Sequence, residues 1–148
     1  GFEAGIAIAF SKELKLSSQY NITKGFAQDQ QGTKEALRHA APAYGNTRLI
    51  YNKAKLTLAA FVEYNGQFDF EDLAPSQQNN AFLYAADQNG NPYAPKWHTL
   101  NFSAQYKYSK SLQINATLEN ITDQRYRPYS SGLSAPGRNL IVAATYTF

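Results

Sequence analysis

Arg138-Asn-Leu-Ile-Val-Ala-Ala-Thr-Tyr-Thr-Phe148 ends the chain on a strict alternation. Leu140, Val142, Ala144, Tyr146 and Phe148 share one face, and Asn139, Ile141, Ala143, Thr145 and Thr147 share the other, because successive strand side chains point to opposite sides. In a soluble protein, a terminal strand closing on an exposed Phe is an aggregation-prone edge. In a membrane β-barrel the strand is paired on both sides and its apolar face meets lipid. A terminal strand of a soluble sandwich fits this segment alone equally well, so the rest of the chain must decide.

Period two recurs upstream. Phe2, Ala4, Ile6, Ile8 and Phe10 form one face of a first strand, and Leu14, Leu16, Ser18, Tyr20 and Ile22 one face of a second. A shorter third is expected from about Tyr44 to Tyr51. Leu56, Leu58, Ala60, Val62 and Tyr64 mark a fourth, Leu100, Phe102, Ala104, Tyr106 and Tyr108 a fifth, and Leu112, Ile114, Ala116 and Leu118 a sixth. The terminal strand makes about seven, all-β and antiparallel.

The connections alternate between short and long. Ser11 and Lys12, Asn52 to Ala54, and Ser109 and Lys110 are tight polar turns. Residues 25–43, 66–96 and 120–137 are long and rich in Gly, Pro, Asn, Gln and Tyr. Short turns at one end and long loops at the other are the asymmetry of an outer-membrane barrel, and soluble sandwiches lack it. Strands of nearly ten residues match the ~9–11 needed to cross a bilayer at a tilt. Phe2, Phe10, Tyr20, Tyr64, Trp97, Tyr106, Tyr108, Tyr146 and Phe148 lie at strand ends, where interfacial girdles place aromatics.

Composition agrees. The 148 residues carry a formal charge of +3, eleven Tyr, and neither Cys nor Met. A mean hydropathy of −0.50 and the lack of any apolar run near ~18 residues exclude a helical span but not a barrel, whose strands are apolar on alternate residues only. Lys and Arg are scattered singly, which is no nucleic-acid signature. No signal peptide or initiator Met opens the sequence, so the chain is expected to be part of something longer.

The segment Glu119 to Phe148 resembles the C-terminus of TonB-dependent outer-membrane receptors. Asn120, Ile121, Asp123 and Tyr126 match the segment ending their penultimate strand, and Ala135, Pro136, Gly137 and Arg138 the one opening the last. Pro42-Ala43-Tyr44-Gly45, Tyr64-Asn65-Gly66 and Pro95-Lys96-Trp97-His98-Thr99-Leu100-Asn101 also look like that family, more its siderophore, haem and cobalamin receptors than its glycan importers. The resemblance implies that residues 1–148 are the C-terminal third of a ~22-stranded plugged barrel, with the plug and the TonB-contacting segment absent. The implied partners are the N-terminal plug and remaining strands, TonB through the missing region, the barrel-assembly machinery, outer-membrane lipid and a small nutrient. No nucleic acid is implied. Tyr146 and Phe148 would carry the assembly signal.

No catalytic constellation is present, and no cofactor is expected. His39 and His98 lie in different regions, and no Gly-x-Ser-x-Gly, His-Glu-x-x-His or phosphate-loop pattern occurs. An imidazole can ligate haem iron, but His98 beside Trp97 fits an interfacial position better. Asn21, Asn101, Asn115 and Asn120 begin chance Asn-x-Ser/Thr matches. Asp69, Glu71 and Asp72 match no calcium loop and read as solvated charge.

Arg125, Tyr126, Arg127, Tyr129 and Arg138 combine cations with ring faces, as binding of an anionic ligand requires. The competing reading is loop closure by ion pairs between Asp123 and these arginines, with the tyrosines anchored at headgroup level. Arg125, Arg127, Tyr129 and Arg138 are therefore the ligand-site candidates, and no metal ligands are assigned. The expected function is uptake of a scarce nutrient, such as a ferric siderophore, haem or cobalamin, at the bacterial outer membrane. Two alternatives stay open. One is a small outer-membrane barrel with an adhesin or structural role, for which seven strands is an awkward odd number. The other is a soluble sandwich or lipocalin-like binder, which would turn the apolar faces inward.

Overall fold

The computed structural model describes residues 1–28 and 30–148. Its strands are β1 (Phe2–Ala9), β2 (Leu14–Ile22), β3 (Phe26–Gln28), β4 (Lys34–Ala36), β5 (Tyr44–Lys53), β6 (Leu56–Asn65), β7 (Ala85–Ala86), β8 (Pro92–Tyr93), β9 (Trp97–Lys107), β10 (Leu112–Glu119) and β11 (Asn139–Tyr146). Seven of them form one antiparallel sheet in the order β1-β2-β5-β6-β9-β10-β11, so each is paired with its sequence neighbour in the sheet. These are the seven strands the alternation predicts, with the third extended to Lys53. Among the described residues, no helix is long and apolar enough to cross a membrane.

Register decides which residues share a face. Ile6 pairs with Ser18, Leu16 with Leu49, Leu49 with Ala60, Ala60 with Phe102, Phe102 with Leu118, and Leu118 with Leu140. A one-residue slip at any seam would mix the faces. Because none slips, one face of the whole sheet is apolar, and the other carries Gln19, Asn46, Glu63, Thr99, Asn101 and Asn115.

Burial runs opposite to that of a soluble protein. Val142 and Leu140 on the apolar face are each 65% exposed, whereas Thr99 and Asn101 on the polar face are each 3% exposed. An apolar surface this continuous on a monomer marks contact with lipid or another apolar partner. Gly45 illustrates how tightly the face is set: a Cβ there would lie 2.6 Å from the Tyr64 hydroxyl, so the missing side chain lets that ring cross over β5.

Two of the three short turns share a device. At Ser11 the hydroxyl accepts from the N–H groups of Glu13 (3.1 Å) and Leu14 (3.0 Å). At Ser109 it accepts from Ser111 (3.2 Å) and Leu112 (3.0 Å). A serine that mimics a backbone acceptor lets each strand reverse within a few residues. The long connections have local order of their own: the β3–β4 hairpin, and, in residues 66–96, helix α1 (Pro75–Gln78), two 3-10 turns and the β7–β8 pair.

Candidate functional site

The long loops fold over the polar face. Phe68, in the loop after β6, exchanges backbone hydrogen bonds with Ala94 (3.0 and 2.9 Å). This closes residues 66–96 into a unit with its own small core of Leu73, Tyr84 and Ala94. Tyr129, from the 120–137 loop, packs into that core, with its ring edge-on to Phe68 at 5.4 Å. Its hydroxyl donates to Gln77 Oε1 (3.1 Å) and accepts from Gln77 Nε2 (2.9 Å), while Nε2 also donates to Tyr84 Oη (2.8 Å). Gln77 is 2% exposed, so these bonds satisfy an amide that burial alone would penalise.

The 120–137 loop is anchored at its base by asparagines. Asn120, at φ 48°, has the left-handed backbone that Asn adopts more readily than most residues. Its Oδ1 accepts from Gln124 N–H (2.9 Å), and its Nδ2 donates to the carbonyls of Gln124 (2.9 Å) and Pro136 (3.2 Å). Asp123 accepts the N–H of Arg138 at 2.7 Å, and a Cβ on Gly137 would come 2.6 Å from that same carboxylate oxygen. The sequence suggested closure by ion pairs. Hydrogen bonds close the loop instead, and among the described residues the only ion pair is Arg48–Glu63.

Between the two loop units lies a cleft of about 240 Å³. The Trp97 and Tyr126 rings stack within it, with centroids 4.3 Å apart, and Lys96, Arg125 and Arg127 line it. Trp97 Nε1 is buried and has no hydrogen-bond partner among the described residues. Burial pushes the Tyr126 phenol above its ordinary value, and the carboxylates of Glu63 and Glu119 push it further, so the phenol keeps its proton past the pH at which a free tyrosine ionises. A ring stack edged by three cations and one orphaned donor can hold an anionic, ring-bearing molecule.

The candidate residues divide accordingly. Arg125, Arg127 and Tyr129 stand together on the cleft, while Arg138 does not line it and donates from Nε to the Ile121 carbonyl (3.0 Å). The Arg127 guanidinium donates to the Phe82 carbonyl (3.1 Å), bridging the two loops, whereas Arg125 has no hydrogen-bond or ion-pair partner among the described residues. Tyr126 and Tyr129 are taken up by ring stacking and loop core, not by a headgroup belt. Trp97, expected in the girdle, points from the polar face into the cleft. The alternation gave the signal for this, since Trp97 falls in the Thr99 and Asn101 series and not with Leu100 and Phe102. Tyr146 and Phe148 lie at the opposite, short-turn end of the sheet, edge-on to each other at 5.2 Å.

His98 sits on the apolar face opposite Tyr64, and His39 follows the β3–β4 hairpin at φ 63°. No group of three or more His, Cys, Asp or Glu side chains could hold a metal among the described residues. Asn101 and Asn120, two of the glycosylation matches, are each 3% exposed and out of reach of modification.

No protein-family model matches the sequence. Solved structures do match. The copper transporter OprC aligns over 99% of this chain and 22% of its own, with a TM-score of 0.77 and 14% identity. The ferric enterobactin receptor PfeA of Pseudomonas aeruginosa aligns over 99% and 22%, at 0.70 and 17%. The siderophore receptor PiuA of Acinetobacter baumannii aligns over 97% and 21%, at 0.61 and 16%. The fold is that of a TonB-dependent receptor barrel. This chain spans about a fifth of each receptor it matches. In a membrane β-barrel the lipid-facing side of each strand is apolar, and alternate residues face inward.

Proposed function

We propose that this chain is the C-terminal wall and loop region of a bacterial outer-membrane transporter that takes up a scarce nutrient. The carrying observation is the pairing of a seven-stranded sheet, apolar outside and polar inside, with a cation-lined aromatic cleft at its long-loop end. The fold shared with copper and siderophore receptors supports the reading. The plug and the TonB-contacting segment would be supplied by the N-terminal part of the same protein, and energy would arrive through TonB. The lipocalin-like alternative needs the apolar face turned inward, opposite to the side over which the loops fold.

The ligand class that fits the cleft is a ferric siderophore of catecholate type, which brings both negative charge and aromatic rings to Lys96, Arg125 and the Trp97–Tyr126 stack. Arg125 carries most of this reading because its guanidinium is uncommitted. Substituting Arg125 with Ala in the full-length protein should weaken ferric enterobactin binding about tenfold at low salt, as expected for one charge-assisted hydrogen bond, and by less at high salt. The measurement is quenching of tryptophan fluorescence on titration. Unchanged affinity at both ionic strengths removes the cleft from the ligand site.

Tyr146 and Phe148 would present the signal read by the barrel-assembly machinery. Deleting Phe148 should lower the amount of receptor in the outer membrane at equal synthesis, and unchanged surface levels would exclude that role.

A further inference from the structure

The two ends of the sheet differ electrically. The short-turn end carries Lys12, Lys15, Lys53, Lys55, Lys107 and Lys110 against one acid, Glu13, and all six lysines are exposed. The whole chain carries only +3, so the remainder is net acidic. None of the six makes an ion pair among the described residues.

A repeat underlies this. Phe10-Ser11-Lys12, Tyr51-Asn52-Lys53 and Tyr108-Ser109-Lys110 each place a lysine two residues after an aromatic, at or entering a short turn. By the strand alternation, Phe10, Tyr51 and Tyr108 all fall on the apolar face, and Lys53 shares that face opposite Leu56. Backbone bonds join the turns into one arc. Asn52 N–H donates to the Glu13 carbonyl (2.7 Å), Lys107 N–H to that of Lys55 (2.9 Å), and Thr147 N–H to that of Ser111 (2.9 Å). Lys15 and Lys107 follow the polar face and stand apart from the repeat.

We propose that these three aromatic-x-lysine turns form a docking rim for anionic phospholipid headgroups of the leaflet at the short-turn end. The inference rests on the membrane-barrel reading above. An aromatic on the lipid face settles at headgroup depth, and a lysine two residues on, at the end of a flexible stem, extends its ammonium to the phosphates. An acidic protein segment would need only the lysines, whereas the exposed rings of Phe10 and Tyr108 beside them suit a partner that offers apolar chains and charge together. Near an anionic surface each lysine strengthens association roughly fivefold, and salt screens the effect.

The test uses the full-length protein in non-ionic detergent with equimolar phosphatidylglycerol and phosphatidylcholine, and native mass spectrometry counts the retained lipid. Phosphatidylglycerol should be retained over phosphatidylcholine by an order of magnitude or more, and less so in 0.5 M salt. Combining Lys12→Gln, Lys53→Gln and Lys110→Gln should abolish the preference, the three Lys→Arg changes should preserve it, and Lys15→Gln with Lys107→Gln should leave it largely intact. An undiminished preference in the triple Gln variant overturns the proposal. So does binding of a polyglutamate peptide without any lipid preference, which would assign the rim to an acidic protein segment. Heat-modifiable migration on gels reports separately on the barrel: its absence in the unmodified protein overturns the membrane reading itself, and this inference with it.

Discussion

The backbone N–H of Asn120 donates to Oδ1 of Asn101 at 2.8 Å, and both residues are almost fully buried. This bond ties the base of the 120–137 loop to the wall strand β9. Asn101 Nδ2 in turn reaches Thr99 Oγ1 (3.1 Å) and the Thr99 carbonyl (3.2 Å), so loop base and wall form one polar network. The loop that lines the cleft is therefore held at a fixed angle to the sheet.

Substituting Asn120 with Ala keeps the backbone bond to Asn101 but removes the side-chain amide that holds Gln124 and Pro136, and puts an unsuited residue at positive φ. The expected cost is about 2–4 kcal/mol, combining unsatisfied buried partners with left-handed backbone strain. Asn120→Gly should cost about 1 kcal/mol less, because glycine tolerates the backbone but not the lost bonds. Urea unfolding in bilayers measures both. Equal costs would mean that the backbone conformation contributes nothing.

Facing across the wall gives a second expectation. Ile114 lies on the apolar face between Tyr106 and Ala144, and Asn115 lies on the polar face between Gln105 and Ala143. On the membrane-barrel reading proposed above, Ile114→Arg should destabilise by about 2–4 kcal/mol near the bilayer midplane, while Asn115→Arg would meet a hydrated lumen and should be tolerated. Folding titrations of the full-length protein in vesicles compare the two. Similar costs would contradict the lipid and lumen assignment.

The strands were legible in the sequence because an apolar face and a polar face enforce a period of two, and turn chemistry at Ser11 and Ser109 bounds the segments. The loops were not. Leu73, Tyr84 and Ala94 form a core from residues with no shared period, joined by the long-range contact of Tyr129 with Gln77 across 52 positions. Nothing local in Gln77 marks it as buried. The candidate list was readable in part for the same reason: Arg125 and Arg127 stood out by type, but Trp97 could be moved from girdle to cleft only by applying the face alternation to the first residue of β9. The Asn120 and Asp123 pattern was visible as a motif, and its hydrogen-bonding role needed the fold.

The Tyr129–Gln77 contact carries the last prediction. Burial raises the Tyr129 phenol above its ordinary value of 10.0, with the neighbouring Tyr84 adding to the rise and the Gln77 hydrogen bond opposing it. In an unfolded loop the phenol loses its proton near the ordinary value, so above that pH the docked loop holds the proton more tightly than the undocked one. The stabilisation is therefore complete below about pH 10 and is lost as pH climbs through the raised value. Tyr129→Phe keeps the ring against Phe68 but leaves Gln77 with fewer partners, at a cost of about 1–2 kcal/mol, or roughly tenfold faster amide exchange in residues 73–84 if they open as a unit. Hydrogen exchange at neutral pH should show that acceleration in the variant. An alkaline titration followed at the tyrosinate absorbance should show one late-titrating group fewer. Unchanged exchange, with the missing tyrosinate lost from the ordinary part of the titration, would mean that the Tyr129 hydroxyl neither is buried nor holds the two loops together.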